Sequence, residues 1–313
     1  MLTRRHLRIK VLQTLYAFYQ AEESNVIKGE KELFQSIEKV YDLYLLLMIL
    51  PLEIRHQANL KMEENKNKLL PSPEDLNPNL KFVNNPVLDM LANSAALKAA
   101  CDKRKISWLN HIELVKKLFN DMRQSEWYEA YMNNPNTGFE EHKNFIAELY
   151  GQLMVKDEAI LSFFEEDNVY WQVDTDLAAS SAIKTIKGLA EGKEFHLMPL
   201  WKNKQEDEAF AKDLFVKAVM NKERTDKWIK AKADNWELER IASMDIILMN
   251  MAITEAIIFP SIPVKVSLNE YIDLAKDYST PKSGTFVNGI LDKVFYMLKN
   301  DGTIKKTGRG LIE

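Results

Sequence analysis

The chain has 313 residues, a formal net charge of −4 and one cysteine, Cys101. Its length allows one large or two modest domains. The single cysteine excludes an intramolecular disulfide framework or a cysteine-based zinc cluster, and it is typical of a reducing cytoplasm. The acidic balance means that any site for nucleic acid must be a local patch. The longest apolar run, Leu43 to Leu50, is too short to cross a membrane, so we expect no membrane partner.

Residues that break secondary structure are few, with 10 glycines and 10 prolines. This low content favours long helices over many short strands. The apolar residues recur at helical spacing through most of the chain. Pro51 predicts a break or kink, and Ser267 with Glu270 has the spacing of a capping box that starts a helix. The predicted helices lie within residues 3–21, 30–70, 87–132, 139–164, 174–190, 206–232, 237–258, 267–278 and 286–298, and residues after 300 are expected to fray.

The start of the first helix carries the densest patch of one charge sign in the chain. Arg4, Arg5 and Arg8 lie three and four residues apart and therefore share one helix face. They form either a solvated helix start or a patch that contacts phosphates. The triplet Lys103-Arg104-Lys105 is interpreted as a solvated face.

Two further positions stand out in the last part of the chain. Phe286 follows the turn at 279–284, where its ring either packs in the core or stacks on an unpaired base. Asp245 is expected at the edge of the apolar stripe formed by Ile241, Met244 and Leu248, where it could meet a basic partner.

No pattern in the chain indicates catalysis. The five histidines include no pair at metalloprotease spacing, and neither a P-loop nor a GxGxxG motif is present. The acidic residues are interpreted as solvated helix faces. We therefore expect no catalytic residue, no metal and no cofactor, and hence no enzyme.

Several stretches together resemble one family. These are Arg4-Arg-His-Leu-Arg8, Gln13-Thr-Leu-Tyr16, Asn235-Trp236, Glu239-Arg240, Asp245, Leu248, Ala252, Glu255, Pro263-Val-Lys-Val-Ser-Leu-Asn-Glu270, Leu274-Ala-Lys276 and Phe286-Val-Asn-Gly-Ile-Leu-Asp-Lys293. They resemble the NusB family of transcription antitermination factors over about residues 3–20 and 206–299. One departure is Lys282, which stands where the family has an acidic residue.

The resemblance implies an all-α fold of two packed three-helix subdomains, here enlarged by an inserted helical region. It implies binding of single-stranded boxA-type RNA from ribosomal RNA leaders together with the ribosomal protein NusE, followed by joining of the RNA polymerase elongation complex in the bacterial cytoplasm. The residues to which it assigns RNA contact are Arg4, Arg5, Arg8, Gln13 and Phe286. Asp245 takes the position implicated in partner contact.

The resemblance also suggests a division of the chain. Residues 1–50 hold the first helices of the N-terminal subdomain, 51–205 an insertion atypical of the family, 206–299 the rest of the family core, and 300–313 a basic flexible tail. Two other classes of NusB-like protein are the alternatives. An RNA cytosine methyltransferase needs a glycine-rich cofactor loop and catalytic cysteines, which the chain lacks. An interaction scaffold that does not bind RNA is the open alternative.

Overall fold

In the computed structural model, the described residues are 1–22, 25–156, 158–233 and 241–311, without the side chains of 154–158. All regular secondary structure in these ranges is helical, so the predicted all-α class is confirmed. The α-helices are α1 (Arg4–Gln20), α2 (Val26–Lys66), α3 (Pro73–Leu76), α4 (Pro86–Asn93), α5 (Ala95–Arg104), α6 (Ile112–Arg123), α7 (Glu126–Asn133), α8 (Phe139–Lys156), α9 (Glu158–Asp167), α10 (Thr175–Lys187), α11 (Lys204–Lys232), α12 (Ser243–Ile258), α13 (Val264–Tyr278) and α14 (Ser283–Asn300).

The chain forms two compact units. The first contains Met1 and Glu38–Leu200, and the second contains Leu2–Ile37 and Trp201–Glu313. Helix α2 therefore contributes its first turns to the second unit and the rest to the first. The division expected from the sequence, with boundaries at residues 50, 205 and 299, stays a prediction about which segments belong to the family core, the insertion and the tail.

The first unit is built around buried aromatic side chains whose polar atoms have partners. The Tyr44 hydroxyl lies 2.8 Å from the Thr185 hydroxyl, and the indole N–H of Trp108 donates to the Leu46 carbonyl at 2.9 Å. Burying these rings stabilises the first unit by removing apolar surface from water. The hydrogen bonds avoid the cost of burying an unpaired polar group.

Helix α2 continues through Pro51, where a break or kink was expected. In a regular helix the N–H of residue 51 would bond the carbonyl of Leu47, and proline has no N–H. The buried Tyr150 hydroxyl donates to that carbonyl at 3.0 Å. A side chain from α8 thus satisfies the carbonyl that the proline leaves without a donor.

The second unit is organised around α12, which packs against α1, α11, α13 and α14. Every residue from Ile247 to Ala256 is buried. A helix that is buried all round belongs to the centre of a bundle rather than to its surface. The described part of this helix starts at Ser243, and the predicted start near residue 237 lies outside the described residues.

Helix α13 starts earlier than the capping-box pattern predicted, so that prediction is wrong. The helix begins at Val264 after Pro263, and Ser267 lies inside it with no exposed surface. Proline fixes a backbone angle suited to a helix start, which favours the earlier beginning. The Ser267 hydroxyl instead donates to Glu255 at 2.7 Å.

The segment after α14 is packed, whereas fraying was expected there. Ile304 is buried, and the N–H of Thr307 donates to the Pro260 carbonyl at 3.0 Å. Gly310 lies so close that a Cβ on it would be 1.9 Å from the same carbonyl oxygen. A glycine is required at this point because only the missing Cβ allows the two backbones to approach.

Candidate nucleic-acid and partner interface

The first turn of α1 presents two arginines at the surface. Thr3 caps the helix, with its side chain accepting from the N–H of His6. The Arg4 side chain is 37% exposed and lies 3.3 Å from Asp207, and its guanidinium sits over the Phe210 ring, 4.2 Å from the ring centre. The Arg5 side chain is 36% exposed and lies 3.0 Å from Asp277. Ion pairs direct both cations, and stacking on Phe210 adds to this for Arg4, while part of each side chain stays in solvent.

Arg8 does not share this surface, although the helical spacing suggested that it would. It is only 3% exposed, and two of its nitrogens donate to the Glu255 carboxylate at 2.7 and 2.8 Å. Burial lowers the pKa of Arg8, but the hydrogen bonds and charge of Glu255 outweigh this effect and raise the pKa overall. The guanidinium stays charged, and the structure makes it a core residue rather than a surface contact for phosphate.

Glu255 is the centre of a buried network that joins α1, α12 and α13. It has no exposed surface, and its carboxylate also accepts from the Ser267 hydroxyl at 2.7 Å and the Tyr271 hydroxyl at 3.0 Å. A buried carboxylate is tolerated only when its lone pairs are satisfied. The network therefore holds the start of α1 in one position and directs Arg4 and Arg5 outwards.

The other residues assigned to RNA contact lie apart from this network. Gln13 is half-buried on α1, and Phe286 is half-buried in the first turn of α14. Phe286 lines a pocket of about 620 Å³ together with Asp245, Lys282 and Pro281. The structure thus brings Phe286 and Asp245 to one pocket, with the exposed Lys282 at its wall.

Asp245 was expected at the edge of the apolar stripe, but it is more buried than that position implies. Only 4% of its surface is exposed. One carboxylate oxygen accepts from the Ser283 hydroxyl at 2.8 Å. The other oxygen has no hydrogen-bond partner among the described residues. A buried carboxylate oxygen without a donor favours a cationic or hydrogen-donating group that enters the pocket.

Sequence reasoning missed the groups that orient the arginines. Asp207, Phe210 and Asp277 carry no motif of their own, and helical spacing does not relate them to α1. Glu255 was part of the family pattern, and its place opposite Ser267 and Tyr271 could be found only from the packing of α12 on α13.

Comparison with known sequences decides the family. The sequence model of the NusB family matches residues 180–295. A Bacillus licheniformis protein named transcription antitermination protein NusB is 41% identical over 90 residues, which are 29% of this chain and 70% of that protein. The chain belongs to the NusB family.

Two further NusB proteins are similar over a larger part of this chain. The protein of Salinibacter ruber is 50% identical over 103 residues, or 33% of this chain and 64% of that protein. The protein of Chloroherpeton thalassium is 46% identical over 107 residues, or 33% of this chain and 51% of that protein. The chain thus matches less than two thirds of the length of these two relatives. No solved structure matches the chain.

The NusB match runs from within α10 to within α14 and so includes Asp245, Glu255 and Phe286. Two motifs of the resemblance, Asn235-Trp236 and Glu239-Arg240, lie outside the described residues. Among the residues that are described, no helix is long and apolar enough to span a membrane. The same part of the chain holds no group of three or more His, Cys, Asp or Glu residues suited to a metal ion.

Proposed function

We propose that this NusB-family protein is a transcription antitermination factor that binds boxA-type single-stranded RNA together with NusE and joins the RNA polymerase elongation complex. The observation that carries the proposal is the NusB match over residues 180–295, since the similar proteins are named for antitermination. The role is regulatory and not catalytic. Transcription takes place in the bacterial cytoplasm, and we infer the same location.

The RNA contacts that we propose are Arg4, Arg5, Gln13 and Phe286. Two part-exposed arginines on one helix start can approach adjacent phosphates, and arginine is well suited to phosphate because its planar fork can donate two hydrogen bonds. Phe286 offers a ring for stacking an unpaired base. Arg8 contributes by holding α1 in place through Glu255.

RNA binding tests this assignment. Replacing both Arg4 and Arg5 with Ala should weaken binding to a boxA-type oligonucleotide and reduce the slope of log K against log salt by about 1.4, or about 0.7 for each lost phosphate contact. Fluorescence anisotropy at several salt concentrations gives both values. The matched control replaces Lys61 and Lys66, two exposed cations of α2 that also form ion pairs.

The control should bind RNA like the unmodified chain. If the Arg4 and Arg5 variant keeps its affinity and salt slope while remaining folded, these arginines do not contact RNA. Phe286→Leu should weaken binding without changing the salt slope, because it removes a stacking ring and no charge.

The partner contact is tested at Asp245. Asp245→Asn keeps the shape and removes the charge, and we expect it to weaken NusE binding by about 10-fold or more, as a charged hydrogen bond contributes about 1.5–3 kcal/mol. Ser283→Ala is the control, since it removes the hydrogen bond to Asp245 and leaves the carboxylate. Equal NusE affinity for Asp245→Asn and the unmodified chain would remove Asp245 from the interface.

The second candidate is a NusB-fold scaffold that binds proteins without RNA. The observation in its favour is that Asp207 and Asp277 already pair with Arg4 and Arg5. In that case boxA-type RNA should not bind the chain either alone or with NusE, while NusE binding persists. We further propose that residues 51–205 extend a protein-binding surface.

A further inference from the structure

Three lysines line another pocket of the second unit, which shares no lining residue with the pocket of Asp245 and Phe286. The pocket has a volume of about 500 Å³ and lies at the start of α13. Lys265, Lys299 and Lys306 provide its charge, and Val264, Ile304 and Leu311 provide apolar walls. Most of these residues follow residue 295, where the match to the NusB sequence model ends.

The pocket is built by the packed segment after α14. The N–H of Ile304 donates to the Leu298 carbonyl at 2.9 Å and that of Thr307 to the Pro260 carbonyl at 3.0 Å. The Lys306 ammonium donates to the Phe259 carbonyl at 3.0 Å, which holds the lysine at the pocket. The close approach of Gly310 to Pro260 fixes the far end of the segment. Backbone packing thus positions the segment that carries Lys306, whereas Lys265 and Lys299 are exposed lysines of α13 and α14.

The electrostatics of this pocket favour an anion. Burial lowers the pKa of Lys306 to about 8, although the charge of Glu255 opposes the shift, and the charge of Lys299 lowers it further. Among the described residues, Lys265 and Lys306 form no ion pair with a carboxylate. The first turn of α13 has neither an acidic residue nor a side-chain cap. Its first N–H groups and the positive end of the helix therefore add to the charge of the lysines.

We propose that the pocket lined by Lys265, Lys299 and Lys306 binds a phosphate group. A phosphate carries the negative charge and the acceptor oxygens that the lysines and the helix start can meet. Its binding would also relieve the repulsion between Lys299 and Lys306.

A series of contacts relates the lysine pocket to the exposed arginines. The Arg4 guanidinium lies over Phe210, and the Phe210 and Phe259 rings pack with their centres 4.8 Å apart. Lys306 in turn bonds the Phe259 carbonyl. The backbone of an RNA bound at Arg4 is therefore the favoured source of the phosphate, and this part of the inference rests on the proposed function.

The pocket is tested first with inorganic phosphate, independently of RNA. Titration of the full chain at constant ionic strength, with chloride as the reference anion, is followed through the backbone amide signals of Val264 and Lys265 by NMR. We expect saturable shifts in the unmodified chain and their loss in the double variant Lys265→Gln and Lys306→Gln.

A second variant keeps every charge and disrupts only the pocket. Gly310→Ala places a Cβ against the Pro260 carbonyl and should displace the segment, so phosphate binding should be lost as well. Gly151→Ala is the matched control, because among the described residues nothing beyond its own helix backbone lies within 4 Å of the added Cβ. The inference is overturned if the unmodified chain shows no saturable shift, or if Gly310→Ala and the lysine variant both bind phosphate normally.

RNA binding then identifies the source of the phosphate. If RNA is the source, the lysine variant should lower the salt slope by about 0.7 for the one lost phosphate contact, in addition to the effect of the Arg4 and Arg5 variant. Phosphate saturation with no effect of the lysines on RNA binding supports the pocket with free phosphate as its ligand. Phosphate saturation in a chain that binds no RNA supports the same pocket and contradicts the proposed function.

Discussion

Replacing Arg8 tests whether this arginine stabilises the fold, in contrast to the two surface arginines near it, Arg4 and Arg5. Arg8→Met keeps most of the side-chain length and removes the charge. Glu255 then loses two charged hydrogen bonds, of 2.7 and 2.8 Å, and retains the Ser267 and Tyr271 hydroxyls as donors. A carboxylate with no exposed surface is left with no cation hydrogen-bonded to it.

Two independent magnitudes give similar costs for Arg8→Met. Hydrogen bonds to charged groups contribute about 1.5–3 kcal/mol each, so that losing two costs about 3–6 kcal/mol. Removing one partner of a buried ion pair typically costs about 3–5 kcal/mol. We expect the free energy of unfolding of the second unit to fall by about 3–5 kcal/mol. Arg5→Met, which breaks an exposed pair, should cost only about 0–1 kcal/mol.

Hydrogen exchange measured by mass spectrometry in increasing urea gives the stability of this unit directly, through peptides from α12 and α13. The double variant Arg8→Met and Glu255→Met should recover at least half of the loss, because no unpaired charge remains in the core. The salt slope of RNA binding should be unchanged by Arg8→Met under conditions where the variant is folded. A cost under about 1 kcal/mol together with a reduced salt slope would refute the buried role of Arg8.

Three other outcomes follow from the first unit. Tyr150→Phe leaves the Leu47 carbonyl without a donor and should lower the free energy of unfolding, measured by urea titration, by about 1–3 kcal/mol. Adding Pro51→Ala restores the helix N–H and should recover most of this loss. No recovery would contradict the pairing of Tyr150 with Leu47. Burial lowers the pKa of His142 below its usual 6.5, so the unfolded chain takes up protons first and stability should fall as the pH drops below about 6.5; a pH profile unchanged in His142→Gln would count against this. Limited proteolysis should leave residues 87–190 protected, whereas rapid cleavage throughout would show that they do not pack.

The sequence predicted helices well where the apolar spacing was regular. Helices α1 and α11 begin and end within two residues of their expected bounds, because their buried faces follow the helical repeat. Local rules could not show how Pro51 is accommodated without a helix break, and they failed at Ser267. At Pro51 the donor that replaces the missing N–H comes from Tyr150, and at Ser267 the hydroxyl serves Glu255 instead of a helix start.

The candidate interface was harder to predict for the same reason. Spacing placed Arg4, Arg5 and Arg8 on one helix face, but it could not show that Arg8 turns towards a carboxylate 247 residues further along the chain. Asp245 likewise lies deeper than its helical position suggested, because α12 is covered on all sides by other helices. The direction of a polar side chain depended on distant partners that no local pattern contains.

The separation between Arg8 and Glu255 also sets an order of events during synthesis. The first unit, except for Met1, is continuous from Glu38 to Leu200, so its segments can meet before the rest of the chain exists. At about 5–20 residues per second, the ribosome needs roughly 12–50 s to add the residues between Arg8 and its carboxylate. Throughout that interval α1 has no buried partner for its arginine. The first helix therefore cannot form its buried ion pair until Glu255, in the last third of the chain, has been translated.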